Sequence, residues 1–273
     1  MIPYFEMPRL ELPFHQKIDI FGVLSAAGVM TGAVLAARAA RKYWPGDDEP
    51  ARGLVTWAVM FGLYGGHFLH IFGYHPELLS WADWSLPLRF WDGLSSMGGV
   101  LGSLIGIGIY FRTIKVPFSR YMDALALGAT PGWAVARIGC FFVHDHPGVR
   151  TDFPLAVDFP VAGYGGPRHD LGLYDVFVLT AITALLYGLA RLRPRQGRLM
   201  GTLAVTYSLC RFFLDFLRAS DLGFVDRRYA GLTPAQYIVM GLFATGVWLL
   251  VRKAPELTPL PAEKPETKTV KKK

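Results

Sequence analysis

The chain has 273 residues, of which 52% are hydrophobic and 18% charged, with a formal charge of +7. Soluble domains of this length carry more charge and less apolar bulk, so composition points to a membrane chain with no separate soluble domain. The positive excess lies in loops and a tail, not in a basic stripe, so nucleic-acid binding is the wrong inference from it.

A bilayer span takes about 20 apolar residues, and seven candidate spans follow one another. The N-terminal stretch 1–13 is mixed and no basic leader precedes the first apolar run, so no cleavable signal peptide is expected. The first span is 18–40, with Gly28 and Gly32 four apart. The second, 54–73, carries His67 and His70 on one face. After it come Trp81, Trp84, Phe90 and Trp91, as expected of a segment at headgroup level. The third span, 97–111, is short and extends back through Leu94 if it is to cross. Its Gly98, Gly102 and Gly106, like Gly128 and Gly132 in the fourth span (121–143), have the small-xxx-small spacing that lets membrane helices touch. Pro131 is predicted to kink or break the fourth span.

Residues 144–172 form a long Pro- and Gly-rich connection, expected to be a functional outer cap with a short strand within 153–160. Spans five to seven are 174–192, 199–217 and 237–251. Residues 1–253 thus read as one all-α membrane domain, and 254–273 as a disordered basic tail. By alternate loops, 18 of the 28 Lys and Arg fall on the side of the C-terminus and 8 on the other. Positive charge marks the cytoplasmic face, so the N-terminus is predicted outside and the C-terminus inside.

Arg137 and Arg211 each lie within an apolar run. A fixed cation in hydrocarbon costs from about 3 to more than 10 kcal/mol, so such residues face a polar interior. A guanidinium stays charged and offers a planar fork of donors, which suits phosphate or carboxylate. A structural ion pair and an arginine that snorkels to the surface are the competing explanations. Tyr207, Arg211, Asp215 and Arg218 fall at i, i+4, i+8 and i+11, one polar stripe on a continuous helix. Asp215 neutralises one arginine and leaves net positive charge for an anion. The two cysteines, Cys140 and Cys210, form no CxxC pair, so neither zinc nor a redox dithiol is expected. A metal site from His144, Asp145 and His146 has no supporting ligand spacing. No metal and no other cofactor is expected.

The run from Arg137 to Gly148 resembles the Gly-Arg-x-Gly-Asn-Phe-x-Asn-x-Glu signature of prolipoprotein diacylglyceryl transferases, in which a glycine follows a few positions on. Trp91-Asp92-Gly93-Leu94-Ser95-Ser96-Met97-Gly98-Gly99 is similar to that family's Trp-x-Gly-Gly-x-Ser-x-His-Gly-Gly run. Pro167-Arg168-His169 with Leu173-Tyr174-Asp175 resembles its Arg-His-Pro…Leu-Tyr-Glu motif. Tyr207, Arg211, Asp215 and Arg218 resemble its Tyr…Arg…Glu…Arg motif.

The resemblance implies a bacterial inner-membrane enzyme with a periplasmic cap. Its reaction moves diacylglyceryl from phosphatidylglycerol to the lipobox cysteine of a preprolipoprotein. Arg137 and Arg211 would bind the head group, and Tyr207 would support the site. Gly98, Gly99, Asp145, Gly148, Arg168, Asp215 and Arg218 would complete substrate binding. The chain departs from the family at Met97 (histidine in the family), Cys140 and Val143 (asparagines), Asp145 (glutamate), Ala136 (glycine) and Phe21 (tyrosine). Met97 is not a base, so His169 or His67 would have to help ionise the acceptor thiol. A non-catalytic lipid- or lipoprotein-binding homologue and an anion channel or transporter are the alternatives.

Overall fold

The computed structural model describes residues 1–7, 10–11, 17–18, 20–43, 49–74, 86, 96–115, 118–160, 164–222 and 228–253. The aromatic residues Trp81, Trp84, Phe90 and Trp91, the side chain of Met97 and the tail 254–273 lie outside them.

The described part is mostly helical. Helices α1 (Ile20–Tyr43), α2 (Glu49–Leu69), α3 (Ser96–Ile114), α4 (Met122–Val143), α5 (Leu171–Ala190), α6 (Arg198–Leu214) and α7 (Pro234–Val251) follow the predicted apolar runs. A π-helical turn, His70–Tyr74, prolongs α2. Five segments are long and apolar enough to cross a membrane: Ile20–Lys42, Arg52–Phe72, Met122–Val143, Leu171–Ala190 and Arg198–Leu217. Two more, Leu101–Ile114 and Ala235–Val251, are apolar but shorter. Large apolar side chains such as Val29, Leu63, Phe68, Phe177 and Trp248 are exposed. Outer faces of this kind suit lipid and give the chain a polytopic membrane character.

Buried acids and a threonine set several helix starts. The two Asp123 oxygens accept from Gly197 N at 2.6 Å and Met200 N at 2.9 Å, satisfying donors at the head of α6. Asp170 caps α5 by accepting from Leu173 N at 3.0 Å, which starts the helix before the predicted 174. Thr233 and Gln236 form a reciprocal capping box on α7.

The most extensive helix contact joins α1 to α4, not to its neighbour α2. A Cβ at Gly28 would collide with the Gly132 carbonyl, and one at Gly128 with that of Gly32. The spaced glycines are therefore a seam where two backbones touch. Pro131 sits inside a continuous α4, so of the predicted kink or break the break does not occur. One missing N–H leaves the rest of the ladder intact, and the α1 seam holds both flanks.

The cap is not purely irregular. Strands β1 (Ile2–Pro3), β4 (Pro147–Arg150), β5 (Val157–Phe159) and β6 (Gly166–Asp170) form a sheet in the order β1-β5-β6-β4. β5 falls within the predicted 153–160, and β1 runs parallel to it. Strands β2 (Leu10–Glu11) and β3 (Lys17–Ile18) form a separate antiparallel pair. The all-α expectation thus gives way to helices topped by a small sheet. Alternation in such short strands is too brief to register as a period.

Candidate functional site

Three helices bring their ionisable residues to one place. Arg137 comes from α4, Asp175 from α5 and Arg211 from α6. Asp175 Oδ2 lies 3.2 Å from Arg137 Nε and accepts from Arg211 Nη1 at 3.3 Å. Its side chain is 1% exposed, against 16% and 8% for the two arginines. The two guanidiniums therefore meet on a single buried carboxylate. Arg211 reaches in a second direction, with Nη2 donating to Asp215 Oδ1 at 3.2 Å. Arg218 Nη1 lies 3.7 Å from the same oxygen, and the Thr233 hydroxyl donates to Asp215 Oδ2.

Three guanidiniums thus share two carboxylates, which leaves one net positive charge. The cluster is also incompletely paired. Among the described residues Asp175 Oδ1 and Arg137 Nε are buried without a hydrogen-bond partner, because the close Arg137–Asp175 approach lacks hydrogen-bond alignment. Unsatisfied groups of this kind are uncommon in folded proteins.

The predicted stripe on α6 is modified. The α-helix ends at Leu214, Asp215–Leu217 is a 3-10 turn, and Arg218 is extended. Arg218 leaves the helix face but still reaches Asp215 across the tightened turn. Tyr207 is buried on α6, its ring 4.4 Å from that of Trp133. The Arg137 guanidinium lies 5.9 Å from the same indole.

Trp133 connects the charged cluster to an apolar groove of about 660 Å³ between α1, α2, α3 and α4. Gly28, Ala33, Val55, Leu63 and Gly99 are among the residues that line it, as are Phe21, Trp133 and Ala136. Where the family places a tyrosine, Phe21 adds only apolar surface. Gly98 does not join the arginines but lies in the α2–α3 contact, where a Cβ would meet the Gly65 carbonyl.

The other candidates belong to the cap. Arg168 is 1% exposed and donates to Gly148 O at 3.0 Å, to both Asp221 oxygens at 2.8 and 2.5 Å, and to Tyr164 O. It clamps three loop segments together. Gly148 bridges to Arg218, and a Cβ there would lie 2.6 Å from Leu217 O. His169 Nδ1 is 2.6 Å from the Tyr174 hydroxyl, and burial holds His169 below its ordinary pKa. His144 is buried. It caps α4 in a left-handed turn (φ 49°) that aims Nδ1 at Asp170 Oδ2, 2.9 Å away. His67 Nε2 is 2.9 Å from Leu86 O.

Cys140, Asp145 and His146 place donor atoms within 4.8 Å of one another. Arg137 Nη1 lies 3.5 Å from both Cys140 Sγ and His146 Nε2, and a fixed cation there opposes a divalent metal.

The clamp gives a pH expectation. Hydrogen bonding from Arg168 holds the Asp221 carboxyl below the usual range. Its folded pKa is depressed, so its contribution is complete above the unfolded value and is lost as pH falls through the folded one. Hydrogen-exchange protection over 147–170, corrected for the intrinsic pH dependence of exchange, should therefore stay constant from pH 7 to about 5 and fall only in more acidic solution. Loosening already near neutrality would show that the clamp does not hold the cap.

The family model described as prolipoprotein diacylglyceryl transferase matches residues 10–252. The chain belongs to the prolipoprotein diacylglyceryl transferase family. It is 30% identical over 239 residues to the phosphatidylglycerol–prolipoprotein diacylglyceryl transferase of Nitratidesulfovibrio vulgaris, covering 85% of this chain and 88% of that one. It is 30% identical over 257 residues to the protein of that name from Azotobacter vinelandii, covering 92% and 96%. The Rhizobium leguminosarum protein of the same name is 28% identical over 256 residues, covering 86% and 87%.

Asp175 closes the family-like run Leu173-Tyr174-Asp175, which by itself assigns it no role. The available signal was that it is the only charged residue between Leu171 and Ala190, and a lone acid in an apolar run asks for a buried cation.

Proposed function

We propose that the chain transfers diacylglyceryl from phosphatidylglycerol to the lipobox cysteine thiol of preprolipoproteins in the bacterial inner membrane. The observation that carries this is the meeting of Arg137 and Arg211 on Asp175 beside an apolar groove. Family membership and the names of the relatives support it. Acyl chains suit the groove, and a phosphodiester suits two guanidiniums whose shared carboxylate it can supplement or displace. The acceptor thiolate attacks the glyceryl carbon bearing the phosphate, and the C–O bond breaks towards phosphorus. Arg137 and Arg211 stabilise the charge that collects on the leaving phosphate. Tyr207 positions Arg137 through Trp133, while Asp215 and Arg218 position Arg211. Arg168, His169 and Gly148 shape the cap, Asp145 sits at its edge, and Gly98 and Gly99 let α3 approach α2 at the groove.

In this reading all seven helices span the membrane within one domain, 1–253. The N-terminus and the cap 144–172 are periplasmic, and the basic tail 254–273 is cytoplasmic. The partners are phosphatidylglycerol, the lipobox peptide and surrounding lipid, with no nucleic acid and no cofactor. The test is complementation of a cell depleted of its own transferase, with thioether formation on a lipobox peptide in phosphatidylglycerol vesicles. Growth and thioether product are expected. Lipid binding without product would make the chain a binding homologue, and anion flux through vesicles would make it a channel.

A further inference from the structure

The groups around Arg137 include one that the family motif does not explain. Helix α4 ends at Val143, and the left-handed turn at His144 brings the following residues back over its last turn. His146 Nε2 thereby comes within 3.5 Å of Arg137 Nη1. Its other ring nitrogen, Nδ1, is bonded to Asp145 Oδ1. A carboxylate accepting from Nδ1–H fixes the tautomer and leaves the lone pair on Nε2. The Arg137 contact agrees, because a guanidinium N–H only donates and the nitrogen facing it must accept. An oriented imidazole therefore presents its basic atom at the guanidinium assigned to the phosphate.

We propose that His146, held by Asp145, is the base that ionises the acceptor thiol in this chain. This rests on the transferase reading above. The thiol proton passes to His146 Nε2 as sulfur forms its bond to the glyceryl carbon. The carbon–oxygen bond breaks with its electron pair on the phosphate oxygen, and the imidazolium returns the proton to the released glycerol phosphate. Base, thiol and leaving group thus gather around Arg137, and the pair does the work for which Met97 has no atom.

The other histidines are less well placed. His169 Nδ1 faces the Tyr174 hydroxyl. His144 is buried among Tyr4, Phe5, Phe141 and Phe159. His67 is bonded to a backbone carbonyl. The His146 and Asp145 side chains are 20% and 38% exposed, so a peptide thiol arriving from the cap side can reach the ring.

The test uses the full chain in phosphatidylglycerol vesicles, with thioether formation on a lipobox peptide read by mass spectrometry. His146→Ala should lower kcat about 100-fold with little change in KM for the lipid, and added imidazole should restore part of the loss. Asp145→Asn should lower kcat about 10-fold, since it orients the base and does not replace it. His146→Gln keeps a polar group against Arg137, so its folding is a control, and it should be as slow as His146→Ala. Equal turnover by wild type and both His146 variants would overturn this inference and leave the transferase reading standing. So would imidazole rescue of His169→Ala but not of His146→Ala. A wild type that binds the lipid and forms no thioether would overturn both.

Discussion

Asp175→Ala should destabilise the folded protein by about 3–5 kcal/mol, the usual cost of removing one partner of a buried ion pair. Two guanidiniums rest on the lost oxygen. Arg211 keeps Asp215 as a partner, whereas Arg137 is left with the Cys140 thiol and the His146 ring. The uncompensated charge is mostly that of Arg137, held beside an indole and largely out of water. Asp175→Asn retains the shape and removes the charge, so it separates a packing loss from an electrostatic one. Thermal unfolding in detergent should fall steeply for both variants. Added phosphatidylglycerol should recover more stability for Asp175→Asn than for wild type, because the lipid phosphate takes over the carboxylate's place. Wild-type stability in Asp175→Asn would show that the arginines are neutralised elsewhere.

Arg211→Lys should reduce transfer about 100-fold, as expected when an electrostatic donor at a developing charge is lost. Nη1 and Nη2 of Arg211 reach two different carboxylates, Asp175 and Asp215. A lysine has one nitrogen on a flexible stem and does not span both in the same geometry. The loss should appear in kcat, with protein yield in the membrane close to wild type because the charge is kept. Full activity of the lysine variant would reduce Arg211 to a structural ion-pair partner.

The helices were legible because runs of apolar residues with few charges have few other folds open to them. Each of the seven runs carries a helix among the described residues, with ends shifted by capping residues such as Asp170 and Thr233 that mark boundaries more sharply than hydropathy does. Arg137 and Arg211 stood out for the same reason, as cations where none is expected. Their shared partner did not, because Asp175 lies 38 and 36 positions away and only the fold brings α5 between α4 and α6. The cap was least legible. Its strands are two to five residues long, and one of them comes from the far end of the sequence. His146 was visible only as a loop histidine, since its place beside Arg137 depends on the left-handed turn at His144.

Pairing of Ile2 with Val157 sets an order on assembly. Strand β1 meets its partner β5 only after the four helices α1 to α4 between them have been made, a wait of roughly 8–30 s at about 5–20 residues per second. Helix α1 waits in the same way, since its closest packing is on α4. The α2–α3 pair is local and can close early, whereas the first helix and the roof above it are fastened together late. A nascent chain halted before residue 122 would therefore hold α1 without its glycine seam and β1 without its sheet.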